Sequence, residues 1–253
     1  MAFMIRLEPI QQQPREIFIF AGQSNSDGQG NIAQYPVLPY AAKIKNYRLN
    51  GSWVDATEPV GVETGSTYGI IPDGSAGAGA ARSFANRMYA LRAFREYGIV
   101  PCGKGGTGQG DWAPNLSTST LYGAMVARAL AAEPAGILKG LIWYQGEAEA
   151  DDSGEASAWA STFLTMYDAL CDDLDIADLK CIVTELGPDF PGRAHWNTVQ
   201  SQQQSLNGAR SGNIACVSAA DLSVISGDEI HLDTAGQVAL GIRYADAMAA
   251  LLA

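Results

Sequence analysis

Apolar residues in this chain fall into short unbroken runs separated by longer amphipathic stretches. Five runs, at 17–20, 99–102, 138–144, 180–185 and 214–218, read as strands. They are short and carry little polar alternation, the pattern of strands covered on both faces. Between and after them the spacing predicts helices over 78–97, 119–132, 153–174, 195–206 and 234–251. Strands alternating with helices predict an α/β domain, a three-layer sandwich with a five-stranded parallel sheet and helices on both faces. One such domain is expected to take up residues 1–253. Ligands of this architecture lie outside the carboxyl ends of the strands.

The stretch 31–75 breaks the pattern. It is rich in Gly, Pro, Tyr and Asn and shows no sustained period. It reads as a long irregular insertion walling a cleft beside the active site.

Charge narrows the partners. The net charge of -11 argues against nucleic acid and anionic membrane, which attract basic surface. No apolar run approaches the roughly 20 residues of a membrane-spanning helix. The first residues, Met1-Ala2-Phe3-Met4-Ile5-Arg6, lack the basic start and long apolar core of a signal peptide. Cys102, Cys171, Cys181 and Cys216 show no close pairing of metal ligands and read as buried free thiols. No metal and no cofactor is expected.

The first apolar run ends in Ala21-Gly22-Gln23-Ser24-Asn25. A buried strand thereby delivers a small hydroxyl to a sheet edge, with Gly22 and Gly28 free to turn the chain on either side. Ser24 is a candidate nucleophile, provided the chain supplies a base and an oxyanion hole; a capping serine is the plain alternative. The chain has two histidines. His231 follows Asp228 by three residues in a loop before the last predicted helix. That spacing lets a carboxylate fix the imidazole tautomer so that Nε2 can take a proton.

These residues resemble the first and last blocks of the SGNH (GDSL-like) hydrolases. Cys102-Gly103-Lys104-Gly105-Gly106-Thr107 followed by Asp111-Trp112, and Trp143-Tyr144-Gln145-Gly146-Glu147, resemble the middle blocks of the sialate O-acetylesterase-like, carbohydrate acetylesterase branch. The blocks fall in the family's order between residues 17 and 237. The resemblance implies a flavodoxin-like SGNH fold and a serine esterase that removes acetyl groups from carbohydrates such as acetylated xylan or sialic acid. It implies Ser24, His231 and Asp228 as the catalytic set. The oxyanion would be held by the N–H groups of Ser24 and Gly106 and the side-chain amide of Gln145. Gln23 and Glu147 take supporting places. A lipase- or thioesterase-like serine hydrolase, or a phage-tail or surface glycan-binding module, are the alternatives on the same scaffold.

Several neighbours receive plainer readings. Glu149, Asp151 and Asp152 read as a solvated helix start, where carboxylates suit the dipole. Trp143 reads as core and Trp112 as an exposed ring at the glycine loop. Arg193 and Trp196 read as surface charge and packing at least as well as cleft residues.

Overall fold

The computed structural model describes residues 13–61 and 76–253. The sheet has seven strands: β1 (Glu16–Gly22), β2 (Ile44–Tyr47), β3 (Trp53–Asp55), β4 (Tyr97–Gly103), β5 (Ile137–Tyr144), β6 (Lys180–Glu185) and β7 (Ile214–Ser218). Their order is β3-β2-β4-β1-β5-β6-β7. All five apolar runs become strands, each parallel to its neighbours. The expectation of five strands is corrected by two more from the 31–75 stretch. β2 runs parallel to β4 and β3 runs antiparallel to β2, so the sheet is mixed. Strands of four and three residues are too short to show a period. Tertiary partners hold them instead: the Asn46 amide donates to the Val60 carbonyl at 2.9 Å, and buried Arg128 donates to the Tyr47 carbonyl at 3.0 Å.

Among the described residues seven α-helices complete the fold: α1 (Ser24–Asp27), α2 (Ala81–Leu91), α3 (Leu121–Ala132), α4 (Ser153–Asp173), α5 (Trp196–Gln204), α6 (Ala209–Gly212) and α7 (Thr234–Leu251). The helix expected over 78–97 stops at Leu91. Phe94 takes a left-handed φ of 72°, and Tyr97 starts β4 rather than ending α2. Its ring is fully buried against Phe18 at 6.4 Å, and its hydroxyl donates to the Arg92 carbonyl at 2.7 Å. Core demand for that ring overrides a stretch with acceptable helix propensity.

Strand alternation sorts the layers. Phe18 and Phe20 meet Phe84 of α2 edge-on, and Thr184 shares a hydrogen bond with Tyr244 of α7. α2 and α7 pack together on that face. Trp143, in register with Ala21, points the opposite way onto Phe163 of α4, beside which α5 packs. The three central strands β4, β1 and β5 therefore end together between two helical layers. Ser24, Gly106 and Gln145 each follow one of those ends.

A buried charge fixes the segment facing the Ser24 turn. A Cβ on Gly28 would sit 2.4 Å from the Gly79 Cα, so the two backbones touch. The Glu58 side chain, 1% exposed, accepts the Gly79 N–H at 3.3 Å with Arg82 at 4.0 Å. Burial pushes the Glu58 carboxyl up to about 7, although Arg82 and the Gly79 N–H pull the other way. The folded state thus holds this proton where the unfolded chain has released it. That stabilisation is full below the ordinary carboxylate range and is lost as pH rises through about 7. Urea unfolding of Glu58→Gln and the parent at pH 5 and pH 8 should show the variant gaining on the parent by up to about 3 kcal/mol at the higher pH. Parallel pH profiles would contradict the shift.

Candidate active site

Ser24 opens the single turn α1, directly after Gly22-Gln23. Gly22 has a φ of +123°, and a Cβ there would lie 2.0 Å from the Tyr144 carbonyl oxygen. Only glycine fits, because that carbonyl accepts the Gln23 N–H at 2.9 Å and ties the end of β1 to β5. The turn that presents Ser24 is thus set by close backbone contact, with the Ser26 hydroxyl donating to the Gln23 carbonyl at 2.7 Å.

The imidazole beside Ser24 comes from a loop 207 residues away. Ser24 Oγ lies 2.8 Å from His231 Nε2. His231 Nδ1 lies 2.7 Å from Asp228 Oδ2. The other Asp228 oxygen accepts the backbone N–H groups of Ile230 and His231, both at 3.2 Å. One aspartate thus shapes the turn and orients the ring. The turn passes through left-handed backbone at Gly227 (φ 84°) and at Glu229 (φ 64°), a cost of about 1–2 kcal/mol at a non-glycine residue. Partial burial works against ionisation of Asp228. The hydrogen bonds from His231 and Ile230 outweigh it and hold the carboxyl below its ordinary value. An ionised Asp228 keeps the proton on Nδ1 and leaves Nε2 to accept one from serine.

Asn25 locks the two halves together, a residue the sequence reading left without a role. It is 1% exposed. Its Nδ2 donates to Glu147 Oε1 at 3.0 Å and to the Ile230 carbonyl at 3.2 Å. Its Oδ1 accepts the Leu232 N–H at 3.0 Å. Each partner on the histidine loop is adjacent to His231. Burial raises the Glu147 carboxyl, and the amides of Asn25 and Gln23 only partly offset this.

A cavity of about 540 Å³ opens over Ser24 and His231. Gln23, Gln29, Gly105, Gly106, Glu147, Ala148, Asp151, Arg193 and Ile230 complete its lining. Among the described residues of 31–61 none lines it, so the expected wall is not formed by that part of the insertion; 62–75 lie outside the described residues. Gly106 has a φ of +72° and open space where a Cβ would be. Among the described residues the Ser24 and Gly106 N–H groups have no protein acceptor.

Gln145 is placed differently from the expected oxyanion donor. It is fully buried behind the cavity. Its Nε2 donates to Glu149 Oε2 at 2.5 Å and to the Thr107 carbonyl at 3.4 Å. Its Oε1 accepts the Trp159 indole N–H at 3.2 Å. Both amide hydrogens are committed, so the side chain braces the glycine loop. Glu149 corrects a second expectation. It is buried rather than solvated and also accepts the Gln109 N–H at 2.5 Å. Amide donors replace the water that would otherwise hold the carboxylate. Asp152 does cap α4, accepting the Gly154 and Glu155 N–H groups at 2.8 and 2.9 Å. Trp112 is buried, edge-on to Trp143 at 5.1 Å, because the loop after Gly106 folds inward. Arg193 reaches the cavity, where it donates to the Glu147 carbonyl at 2.8 Å and pairs with Asp151.

The chain is similar to known proteins over most of its length. Residues 14–250 match the family model of carbohydrate esterases described as sialic acid-specific acetylesterase. The chain belongs to that family. This esterase is 31% identical over 250 residues to a probable carbohydrate esterase of Arabidopsis thaliana, covering 92% of this chain and 90% of the relative. The X-ray structure of the protein of that Arabidopsis locus superimposes with a TM-score of 0.80 at 28% identity, covering 94% and 98% of the two chains. The crystal structure of NanS shares the fold, with a TM-score of 0.69 at 17% identity over 96% and 99%. So does a carbohydrate acetylesterase of Xanthomonas citri, with a TM-score of 0.65 at 21% identity over 91% of this esterase and 55% of that chain. As a family member the enzyme is a carboxylic ester hydrolase. Among its described residues no helix is long and apolar enough to cross a membrane.

Asn25→Ala should strand the buried Leu232 N–H and Glu147 carboxylate. The expected loss is about 2–4 kcal/mol of stability by urea titration, with kcat falling more than KM rises because the imidazole loses its register. Unchanged kcat in a folded variant would refute the locking role.

Proposed function

We propose that this esterase removes O-acetyl groups from carbohydrates through an acetyl-serine intermediate. The hydrogen-bonded chain Ser24 Oγ, His231, Asp228 at 2.8 and 2.7 Å carries this reading. Ser24 Oγ attacks the acetyl carbonyl carbon while its proton passes to His231 Nε2. The ester C=O π pair moves onto oxygen. On collapse the sugar oxygen leaves and takes the proton from His231. Water then attacks the acetyl-serine, gives its proton to His231, and acetate departs as the serine regains a proton. Asp228 holds the ring and stabilises the imidazolium at each stage.

The developing oxyanion requires donors in place beforehand. The Ser24 and Gly106 N–H groups serve, and losing one typically costs about 2.7–4 kcal/mol. At Gly106 a side chain would occupy cavity space and strain a φ of +72°. Gln145 and Glu149 act from behind, holding the loop that carries Gly106. The polar side chains Gln23, Gln29, Asp151 and Arg193 in the cavity lining favour a sugar over the fatty chain of a lipase substrate.

Ser24→Ala should lower kcat on nitrophenyl acetate by at least about a thousandfold. Acid-quenched parent enzyme should carry one acetyl group on the Ser24 peptide by mass spectrometry. Equal rates in both proteins would end the serine reading; turnover without an acetylated peptide would end the covalent route.

A further inference from the structure

The cavity contains an ion pair that the reaction does not use. Arg193 arrives from the segment before α5, and Asp151 from the turn before α4. Their closest atoms are 2.5 Å apart. Arg193 Nη1 makes both this contact and the bond to the Glu147 carbonyl. Among the described residues, Nε and Nη2 of Arg193 have no protein partner. Both residues line the same cavity as Ser24 and His231.

We infer that the Arg193–Asp151 pair selects uncharged acetylated sugars over sugar acids. The inference rests on the esterase reading above and names the substrate class for that site. Among the described residues Arg193 is the lining's single Lys or Arg, against two acidic side chains, Glu147 and Asp151. A sugar carboxylate entering this space would meet a guanidinium whose charge is already balanced, and would come close to the Asp151 carboxylate. Taking such a charge out of water without an uncompensated partner is costly. A neutral sugar has no such penalty. Its hydroxyl and ring oxygens accept from Nε and Nη2, and the guanidinium stays held flat by Asp151 and the Glu147 carbonyl. The pair is a hydrogen-bonding platform with its charge neutralised, and Asp151 is the residue that makes it so.

The test compares kcat/KM on an acetylated methyl xyloside and on O-acetyl N-acetylneuraminic acid, each divided by the same protein's rate on nitrophenyl acetate. The parent should favour the neutral sugar by about tenfold or more, the size of one partly screened charge interaction. Asp151→Asn should shrink that preference about tenfold, mainly through a lower KM for the acid. Asp151→Glu, which keeps the charge, should retain the parent's ratio. The parent's discrimination should also narrow as salt is raised from low to high ionic strength, a readout independent of either variant folding. A parent that prefers the sugar acid overturns the inference. So does a ratio indifferent to both Asp151→Asn and salt. Either result leaves the esterase reading intact if nitrophenyl acetate is still cleaved through Ser24. A parent silent on all three esters overturns both.

Discussion

The site depends on one amide. Asn25 stands beside Ser24 and binds the residues on either side of His231 while also holding Glu147 after β5. The Ser24 hydroxyl and the His231 imidazole come from opposite ends of the sequence, and nothing in local structure fixes their separation. A buried side chain with one double-duty donor and one acceptor does. Because Glu147 and Leu232 are buried, misplacement leaves more than one polar group unsatisfied at once, so the arrangement is held cooperatively.

The second layer of order lies behind the cavity. Glu149 collects the Gln145 amide and the Gln109 N–H. Gln145 in turn touches the Thr107 carbonyl and Trp159. The glycine loop after β4 has little side-chain packing of its own, yet in the proposed mechanism it must keep its N–H groups aimed at one point. A carboxylate network buried beneath it supplies the rigidity that glycines cannot.

Much of this was legible in the sequence for physical reasons. Runs such as Ile17 to Phe20 are buried on both faces, so burial leaves an unmistakable local mark. Asp228 and His231 are three residues apart, within one turn, so their pairing follows from chain geometry. What was hidden is what arises only from distant partners. β2 and β3 are too short to have a period and exist by docking on β4. Gln145 has the composition of an oxyanion donor, and only the position of Glu149 shows its hydrogens already engaged. Glu149, Asp151 and Asp152 form one acidic stretch in sequence but separate in space into a buried brace, a cavity ion pair and a helix cap. Asn25 could have been suspected, as an amide beside a candidate nucleophile, but its partners near residue 231 carry no local signal.

The order of these pieces along the chain has a consequence in time. During synthesis Ser24, Gly106 and the brace around Gln145 are made first, and a partly made chain holds the hydroxyl without the imidazole. The imidazole arrives 207 residues after the serine. Its loop leads directly into α7, whose cap Asp233 also accepts the Ser223 hydroxyl at 2.6 Å and the Gly236 N–H at 2.8 Å. In the proposed mechanism the serine therefore gains its proton acceptor only when α7, which packs against α2, brings that loop into place.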